Sequence, residues 1–345
     1  METVMRTTMK RWEMSAIGRP NLRLADVAVP KAQAGEILVK VGAVALNVHD
    51  KLVIDTGMGL PLNFPLTPGT DMAGTVVSLG EGASRFAVGD RVISTFVPDW
   101  IDGKPLGDAR TPPYRSLGGT SPGVFSEYVA FPEDWFVAAP KSLDDATAST
   151  LPCAGLTAWF GLVERGGLHA GQTVLIEGTG GVSLFGLQIA KANGAEVIIT
   201  SGSEEKLARA KALGADHGIN YKTEDWVEAV WRLTGDRGVD HVLEVVGGAH
   251  LGKAVQAVAI NGHIAMVGTL DGFEISAAAH PLLLKSPTIQ GVGVGHRRAL
   301  EDLVAAVDRA GLTPVIDKKY TFAELPDALD HLERGAFGKL VLELG

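Results

Sequence analysis

The order of apolar and polar positions changes near residue 170, and the later part of the chain alternates between two patterns. The first is a short apolar run, as in QTVLIEG (172–178) and EVIITS (196–201), which is typical of strands buried on both faces of a parallel sheet. The second is an apolar residue at every third or fourth position, as at Val182, Phe185 and Ile189, which predicts a helix between these two strands.

The same alternation continues downstream. Strands and helices that alternate at short spacing form a parallel sheet with right-handed crossovers, so this region predicts a doubly wound α/β domain. Helices are predicted at 204–214, 225–235 and 251–258, and strands at 217–220, 239–247 and 263–268.

The first 150 residues are instead rich in β-branched residues and interrupted by turn residues. Strands are predicted at 36–46, 74–82 and 88–94. Residues 97–123 are dense in Pro and Gly and predict a long surface excursion. The last 50 residues mix both patterns and are expected to rejoin the first domain.

Composition and charge narrow the class of protein. A length of 345 residues predicts two domains, since one hydrophobic core rarely serves so long a chain. The net charge of -9 disfavours nucleic acid or an anionic membrane as partner, and the chain lacks the apolar run of a membrane span. The start of the chain lacks a secretion signal, so a cytoplasmic protein is expected. The single cysteine, Cys153, excludes an internal disulfide and a cysteine-rich zinc module.

A glycine-rich turn joins the first strand of the α/β region to its helix. GTGGVS (178–183) differs at one position from the G-x-G-x-x-G/A fingerprint of dinucleotide-binding turns. Gly178 permits a tight turn, and Gly180 leaves room for a pyrophosphate held by the amides at the helix N-terminus. Such turns also occur for packing alone, but the strand before and the helix after favour nucleotide binding. The candidate cofactor-binding residues of this turn are Gly178, Thr179, Gly180, Gly181 and Val182.

The end of the second strand bears on the choice between NAD and NADP. An NAD site usually has an acidic residue there for the ribose hydroxyls, whereas this chain has Ser201, Gly202 and Ser203, followed by Lys206. Hydroxyls and an ammonium could hold the 2′-phosphate of NADP, so NADP(H) is favoured and NAD(H) stays open. The neighbouring Glu204–Glu205 pair weakens this prediction, and Lys206 is equally interpretable as a solvated helix residue.

Six motifs in order along the chain carry a family resemblance: LTPGTDMAGTVVSLGEG (66–82), VGDRV (88–92), LPCAGLTAW (151–159), GTGGVSLFGLQIAK (178–191), LGADHGINY (213–221) and GVDHVLEVVGG (238–248). Together they resemble the medium-chain dehydrogenase/reductase superfamily, in its zinc-free branch similar to quinone oxidoreductases and alcohol dehydrogenases. The resemblance implies a GroES-like β-barrel catalytic domain at 1–153 and 294–345, with a Rossmann NAD(P)-binding domain at 154–293. It also implies a homodimer or tetramer paired through QGVGVG (290–295).

The resemblance further implies that catalytic zinc is absent. Zinc-using members bind the metal through two cysteines and the histidine of a Gly-His-Glu motif. The matching positions here are Asn47, the segment Gly69-Thr70-Asp71, and Cys153. One thiolate with an amide and a hydroxyl does not make the usual three-ligand site, so Cys153 is interpreted as a packing residue left over from that chemistry.

Three residues of the motif ALNVHD are the catalytic candidates. Asn47 and Asp50 match an N-x-x-D element of zinc-free relatives, in which the amide could donate to a substrate oxygen and the carboxylate fixes the loop. His49 is proposed as a hydrogen-bond donor or general acid, because histidine changes charge near neutral pH. The alternative is an ordinary polar loop histidine. Leu52 replaces a tyrosine common in relatives, so their proton path does not carry over.

Further cofactor contacts follow from the resemblance alone. Thr157 matches a residue that packs on the nicotinamide, and Tyr221 resembles an adenine-stacking tyrosine. Arg334 and Lys339 match positions where relatives approach the cofactor phosphates, although either could be a solvated surface charge. Trp100 and Trp135 could shape an apolar substrate pocket or simply pack. The backbone segments expected to line the nicotinamide half contain Gly247, Gly248, Val267, Gly268, Thr269, Val292 and Val294.

These observations predict a zinc-independent, NADP(H)-dependent oxidoreductase acting on a small quinone, enone or aldehyde-type carbonyl. Without a Lewis acid, an alcohol oxidation lacks the group that stabilises the alkoxide, whereas a delocalised acceptor needs only modest hydrogen-bond donors. Two alternatives stay open: an NAD(P)-dependent alcohol dehydrogenase, and a non-catalytic NAD(P)H-binding sensor.

Overall fold

A computed structural model describes residues 7–105, 107–110 and 115–345. The chain divides into two compact units. Unit 1 combines the segment that ends at Cys153 with His296–Gly345, and unit 2 is Ala154–Gly295. The sequence-based boundaries lie at 153/154 and 293/294, two residues from the second division observed.

In its described residues, the segment that ends at Cys153 contains seven strands and two α-helices. They are β1 (Thr8–Met14), β2 (Leu22–Ala28), β3 (Glu36–Ala45), α1 (Val48–Thr56), β4 (Asp71–Leu79), β5 (Arg91–Ser94), β6 (Tyr128–Pro132), β7 (Phe136–Ala138) and α2 (Asp145–Ala148).

Unit 2 alternates helices and strands. They are α3 (Leu156–Trp159), β8 (Thr173–Ile176), α4 (Gly181–Ala192), β9 (Glu196–Ser201), α5 (Glu204–Ala212), β10 (His217–Asn220), α6 (Trp226–Thr234), β11 (Val239–Glu244), α7 (His250–Ala257), β12 (Val258–Met266), α8 (Ala279–Lys285) and β13 (Thr288–Gly291). The chain then returns to unit 1 with α9 (Arg297–Ala310), β14 (Ile316–Thr321), α10 (Leu325–Arg334) and β15 (Lys339–Glu343).

Unit 1 is built on a largely antiparallel sheet. Its seven strands run in the order β14-β15-β3-β4-β5-β7, with β6 beside β3, and β1 and β2 form a separate antiparallel pair. Apolar side chains, including Ile37 of β3, Met72 of β4 and Phe125 in the segment before β6, are fully buried in one cluster. The C-terminal strand β15 lies next to β3, so residues from both ends of the chain share one sheet.

Unit 2 is a six-stranded parallel sheet in the order β10-β9-β8-β11-β12-β13. Numbered along the unit, this is the 3-2-1-4-5-6 order of the Rossmann fold, in which ligands bind at the carboxyl ends of the strands. All four residues of β8 are buried, as expected for a central strand covered by helices on both faces. The predicted fold class, a Rossmann-type parallel sheet with a GroES-like unit, is confirmed.

Several predicted bounds in unit 2 are wrong in detail. The strand predicted at 239–247 ends at Glu244, and the strand predicted at 263–268 is part of β12, which begins at Val258. Val258 continues the apolar spacing of the preceding helix, but it begins β12, because α7 ends at Ala257. The strand predicted at 290–295 is β13, which ends at Gly291 and lies at the edge of the sheet. In the described ranges, every helix is too short or too polar to cross a lipid bilayer.

Candidate active site

Three strand ends of unit 1 bring polar side chains together. Asn47 follows the end of β3, Asp71 begins β4 opposite Ala45, and Lys339 begins β15, whose residue Val341 also lies opposite Ala45. Asn47, Asp71 and Lys339 are 7%, 0% and 4% exposed. Buried polar groups of this kind require hydrogen-bond partners, because an unpaired charge in the interior is costly.

The partners form one continuous network. Lys339 Nζ donates to Asn47 Oδ1 at 2.5 Å and to Leu46 O at 2.7 Å. Asn47 Nδ2 donates to Thr70 Oγ1 at 2.9 Å, and that hydroxyl donates to Asp71 Oδ1 at 2.7 Å. We call these four residues, Asn47, Thr70, Asp71 and Lys339, the Lys339 network.

The network fixes the orientation of the Asn47 amide. An ammonium only donates, so it selects the carbonyl oxygen of Asn47 and turns Nδ2 toward Thr70. Thr70 needs only one of the two Nδ2 hydrogens. The second hydrogen is the group that a substrate oxygen could accept.

Asp71 is an anion held under strong desolvation. Burial raises the pKa of Asp71 to about 6, against the charge of Lys339, which lowers it, and the nearby charge of Asp50 adds to the rise. Asp71 Oδ2 accepts a hydrogen bond from the backbone N–H of Cys153 at 3.1 Å and lies 4.0 Å from Lys339 Nζ. The Lys339 ammonium therefore partly offsets the effect of burial, and the pKa of Asp71 stays lower than burial alone would make it.

The remaining catalytic candidates lie at the start of α1. Asp50 is 1% exposed, and its Oδ2 accepts from the backbone N–H of Asn47 at 2.8 Å, so it anchors the residue that begins the network. His49 Nε2 lies 3.2 Å from Ser116 Oγ, and its Nδ1 lies 3.6 Å from Asp50 Oδ1. Its ring packs edge-on against Phe96 at 5.1 Å. Ser116 was not identified from the sequence, because it lies in the irregular 97–123 segment with no motif around it.

The residues at the zinc-ligand positions do not fit a catalytic zinc ion. Both oxygens of Asp71 accept hydrogen bonds, one from Thr70 and one from the Cys153 backbone. Asn47 Oδ1 accepts from an ammonium, which repels a metal cation. In the ranges the structure describes, no three metal-ligating side chains converge at this position. Cys153 alone cannot supply the three protein ligands of a catalytic zinc site.

In unit 2, the glycine-rich turn has the geometry that a pyrophosphate needs. Gly178 has a φ of +72°, and Gly180 is the N-cap of α4. A Cβ added at Gly180 would meet no atom within 4 Å, so the turn is open there. Ser183 is buried and donates to Glu177 O at 2.7 Å, which ties the helix to the strand end. The other three predicted residues of the turn are Thr179, which is buried, and Gly181 and Val182, which are half-buried.

The residues predicted to hold the adenosine end lie together beside β9. Ser201 is the last residue of this strand, and Ser203 is the N-cap of α5, its hydroxyl accepting from the Lys206 backbone. A Cβ at Gly202 would lie 2.8 Å from the Tyr221 hydroxyl and 2.7 Å from Lys222 Cε, so Gly202 lets both side chains approach. Lys222 is an additional cation that sequence reasoning missed.

The segments predicted to line the nicotinamide half contact one another. A Cβ at Gly247 would lie 2.3 Å from Gly268 O, and one at Gly268 would lie 1.8 Å from Val245 O, so close backbone packing already requires both glycines. Val294 is buried with a φ of +71°, an unusual conformation for a β-branched residue. Around these segments, Thr157 and Val292 are buried, Val267 and Thr269 follow β12, and Gly248 has a φ of +57°.

The two cations predicted to approach cofactor phosphates differ in environment. Arg334 is exposed in the last turn of α10. Lys339 is buried, and its ammonium is hydrogen-bonded within the Lys339 network. The two tryptophans are half-buried: Trp100 lies edge-on to His296, and Trp135 donates to Asp99.

A second group of buried ionisable side chains was not predicted. Glu177 directly follows β8, Glu244 ends β11, and His250 begins α7. We call these three residues the Glu177 cluster. The carboxylates are 1% and 0% exposed, and His250 Nδ1 lies 3.3 Å from Glu177 Oε1 and 3.7 Å from Glu244 Oε1. An acidic residue at the end of an all-apolar strand was the available sequence signal.

The environment of the Glu177 cluster raises the pKa values of both Glu177 and His250. Burial raises the pKa of Glu177 to about 7, and the Glu244 carboxylate contributes to the rise. Burial would lower the pKa of His250, but the two carboxylates outweigh it and raise the value to about 9. Glu244 Oε1 accepts from the backbone N–H groups of Val246 and Gly247 at 3.0 and 2.7 Å, so the cluster also holds the segment after β11.

Comparison with known proteins gives consistent results over the whole chain. The family model of the alcohol dehydrogenase GroES-like domain matches residues 33–141, and that of the zinc-binding dehydrogenase matches 181–309. A zinc-type alcohol dehydrogenase-like protein of Schizosaccharomyces pombe is 37% identical over 336 residues, which cover 95% of this chain and 96% of that protein. A quinone oxidoreductase of Sus scrofa is 28% identical over 330 residues, which cover 93% and 92%. A crystal structure from Sinorhizobium meliloti 1021, of a protein provisionally named alcohol dehydrogenase, is 61% identical with a TM-score of 0.97 and covers 99% of this chain and 100% of that one.

Proposed function

The chain belongs to the medium-chain dehydrogenase/reductase superfamily, and on that premise we propose that it reduces a quinone, enone or aldehyde with NADPH and without zinc. Membership makes it an NAD(P)H-dependent oxidoreductase of the alcohol dehydrogenase and quinone oxidoreductase family. The preference for NADPH, the acceptor class and the independence from zinc are the parts proposed here.

One observation carries the zinc-free assignment. The residue in the first ligand position, Asn47, accepts a hydrogen bond from the buried ammonium of Lys339, and both oxygens of Asp71 are likewise engaged. A site that already contains a fixed cation, and whose acceptors are satisfied, has little to offer a metal ion.

The chain's own groups then handle the substrate oxygen. NADPH, when bound, supplies the hydride that adds to the acceptor carbon. The oxygen gains negative charge as that bond forms, and the second Nδ2 hydrogen of Asn47 stabilises it. His49 delivers the proton that completes the reduction, and Ser116, 3.2 Å from Nε2, holds the ring for that transfer.

The NADPH preference is supported by the groups around Gly202. Ser201 ends β9, Ser203 caps α5, Lys206 lies in the first turn of α5, and the Lys222 side chain lies close to Gly202. Glu204, which would repel a 2′-phosphate, is hydrogen-bonded to Asn220 Nδ2 at 2.5 Å. The described residues therefore offer cations and hydroxyls at the position where NAD sites carry an acid.

The cofactor assignment is tested by kinetics with NADPH and NADH in parallel. Replacing Lys206 or Lys222 by Ala should raise the KM for NADPH about tenfold, the loss expected for a charge-assisted hydrogen bond, and leave that for NADH unchanged. Lys211→Ala, on the last turn of the same helix α5, is the matched control. Equal losses with both cofactors would contradict the assignment.

Zinc independence is tested at the lone thiol. Cys153→Ala should keep its turnover, whereas Asn47→Ala should lose about 100-fold in kcat, as expected when a donor to a developing oxyanion is removed. Loss of turnover together with loss of a bound zinc ion in Cys153→Ala would favour the zinc-dependent alcohol dehydrogenase instead. NADPH binding without oxidation over a broad acceptor panel would favour the non-catalytic sensor.

We also propose that the protein forms a homodimer or a tetramer. Strand β13 is the last strand of the unit 2 sheet, so its outer edge is suited to pairing with a second copy. Three apolar residues in the segment between β12 and β13, Phe273, Leu283 and Leu284, are 88%, 74% and 66% exposed, which is typical of a surface that a partner covers. Light scattering of the purified protein distinguishes monomer, dimer and tetramer.

A further inference from the structure

We propose that the Glu177 cluster is a binding site for one divalent transition-metal ion, with Glu177, Glu244 and His250 as its ligands. The site lies wholly within unit 2, so the inference does not depend on the proposed reaction. It would hold an ion of the zinc or manganese type, because an imidazole with two carboxylates suits those metals better than magnesium or calcium.

The donor atoms of the three side chains converge on one place. Among the residues that the structure describes, these three form the one group of metal-ligating side chains whose donor atoms all lie within 4.8 Å of one another. They come from the ends of β8 and β11 and the start of α7, and the strands β8 and β11 are neighbours in the sheet. Convergence of this kind is what a three-ligand site requires.

Each residue of the Glu177 cluster also has a buried polar atom without a hydrogen bond. Glu177 Oε1, Glu244 Oε2 and His250 Nδ1 are buried and make no hydrogen bond. Both carboxylates are more than nine-tenths buried, so they are shielded from bulk solvent. Buried polar atoms almost always have partners, and three orphans in one place point to a missing one.

The separations between His250 and the two glutamates are longer than those of charge-assisted hydrogen bonds. A charge-assisted hydrogen bond between an imidazolium and a carboxylate brings the heavy atoms to about 2.7–2.9 Å. His250 Nδ1 is instead 3.3 Å from Glu177 Oε1 and 3.7 Å from Glu244 Oε1, and it makes no hydrogen bond with either. Ligands about 2.0–2.2 Å from a tetrahedral ion lie about 3.3–3.6 Å apart, which includes the first separation and is close to the second.

The surroundings orient the ligands. Glu177 Oε2 accepts from the Val245 N–H at 3.3 Å, and the His250 ring stacks on Trp226 at 5.1 Å. Such outer contacts are usual around metal ligands. The His250 side chain is 23% exposed, which gives an ion a path from solvent. An ion here would tie the glycine-rich turn after β8 to the segment after β11.

The test loads one metal at a time onto protein treated with a chelator. Zinc or manganese should bind with one ion per chain, counted by elemental analysis after gel filtration, and should raise the Tm. Glu177→Gln and Glu244→Gln should each lose affinity by tenfold or more, roughly the range seen when the support of a metal site is altered. Manganese binding by the parent protein, read from its electron paramagnetic resonance signal, keeps the test valid if a variant does not fold.

Two matched controls separate this site from others. Glu196→Gln removes an exposed carboxylate that pairs with His217 at 3.0 Å, and it should leave metal binding unchanged. Cys153→Ser should also retain the ion, whereas its loss there would place the metal in unit 1. A parent protein that takes up neither metal would overturn the proposal and leave the cluster as a set of protonated side chains. Retention of the ion by the Glu177→Gln/Glu244→Gln double variant would overturn it as well.

Discussion

Each unit buries a small set of charged side chains, and the two sets differ in where their positive charge comes from. In the Lys339 network of unit 1, an ammonium donates to two oxygens and lies 4.0 Å from the Asp71 carboxylate. In the Glu177 cluster of unit 2, two carboxylates face one histidine, whose charge depends on a proton.

The difference appears in the hydrogen bonds. In the Lys339 network, Asn47, Thr70 and Asp71 form an unbroken series of donors and acceptors. In the Glu177 cluster, each residue has a buried atom without a hydrogen bond. A fixed cation built into the chain completes a buried network, whereas a site without one needs protons or an ion from solution.

The largest expected effect comes from removing the built-in cation. Lys339→Met should lower the free energy of unfolding by about 3–5 kcal/mol, because it leaves a buried carboxylate without its partner. Urea unfolding at pH 7.5 measures this loss, with Lys319→Met as the control. The exposed Lys319 pairs with Glu343 at 2.8 Å, and loss of a surface pair should cost at most about 1 kcal/mol. Equal losses in the two variants would show that the Lys339 network contributes no special stability.

The next effect is a pH dependence at Asp71. Its native pKa of about 6 lies above the ordinary value of 3.8, so between these values the folded state binds more protons than the unfolded state. Stability from this group is therefore present below about pH 4 and lost as pH rises through 6, a change of up to about 3 kcal/mol. Asp71→Asn should remove that decline from the curve of unfolding free energy against pH.

Asp55 provides a control of opposite sign. Hydrogen bonds and charge from Arg19 and Lys51 outweigh the desolvation of Asp55 and lower its pKa. Its contribution is therefore present above the unfolded pKa and lost on acidification, so Asp55→Asn should alter the curve in the other direction. The same change of slope in both variants would contradict the assignment of the raised pKa to Asp71.

The smallest expected effect is in the Glu177 cluster without metal. In chelator-treated protein, Glu177→Gln should change the free energy of unfolding by no more than about 1 kcal/mol, because it removes one of two facing buried charges while the amide oxygen can still accept from Val245. Thermal unfolding with and without the chelator measures this. A loss as large as that of Lys339→Met would mean that the cluster is already a balanced ion-pair network.

Sequence reasoning located the elements of unit 2 well because their determinants are local. The strands at 196–201 and 217–220 have the observed bounds, since each is a short run of strand-forming residues between turn or cap signals. The boundary at Val258 was wrong because an apolar residue after a helix continues the helical spacing, and only the sheet showed that β12 begins there. The local pattern of apolar residues is the same whether the helix continues or a strand begins at this position.

The sequence by itself determined the alternating strands and helices of unit 2 and its glycine-rich turn, because each depends on residue types at short spacing. Only the tertiary structure decided that Lys339 lies beside Asn47, 292 positions away along the chain, and that Glu177, Glu244 and His250 converge. Such contacts depend on which strand ends are neighbours in a sheet, and the register between distant strands leaves no trace in a local pattern.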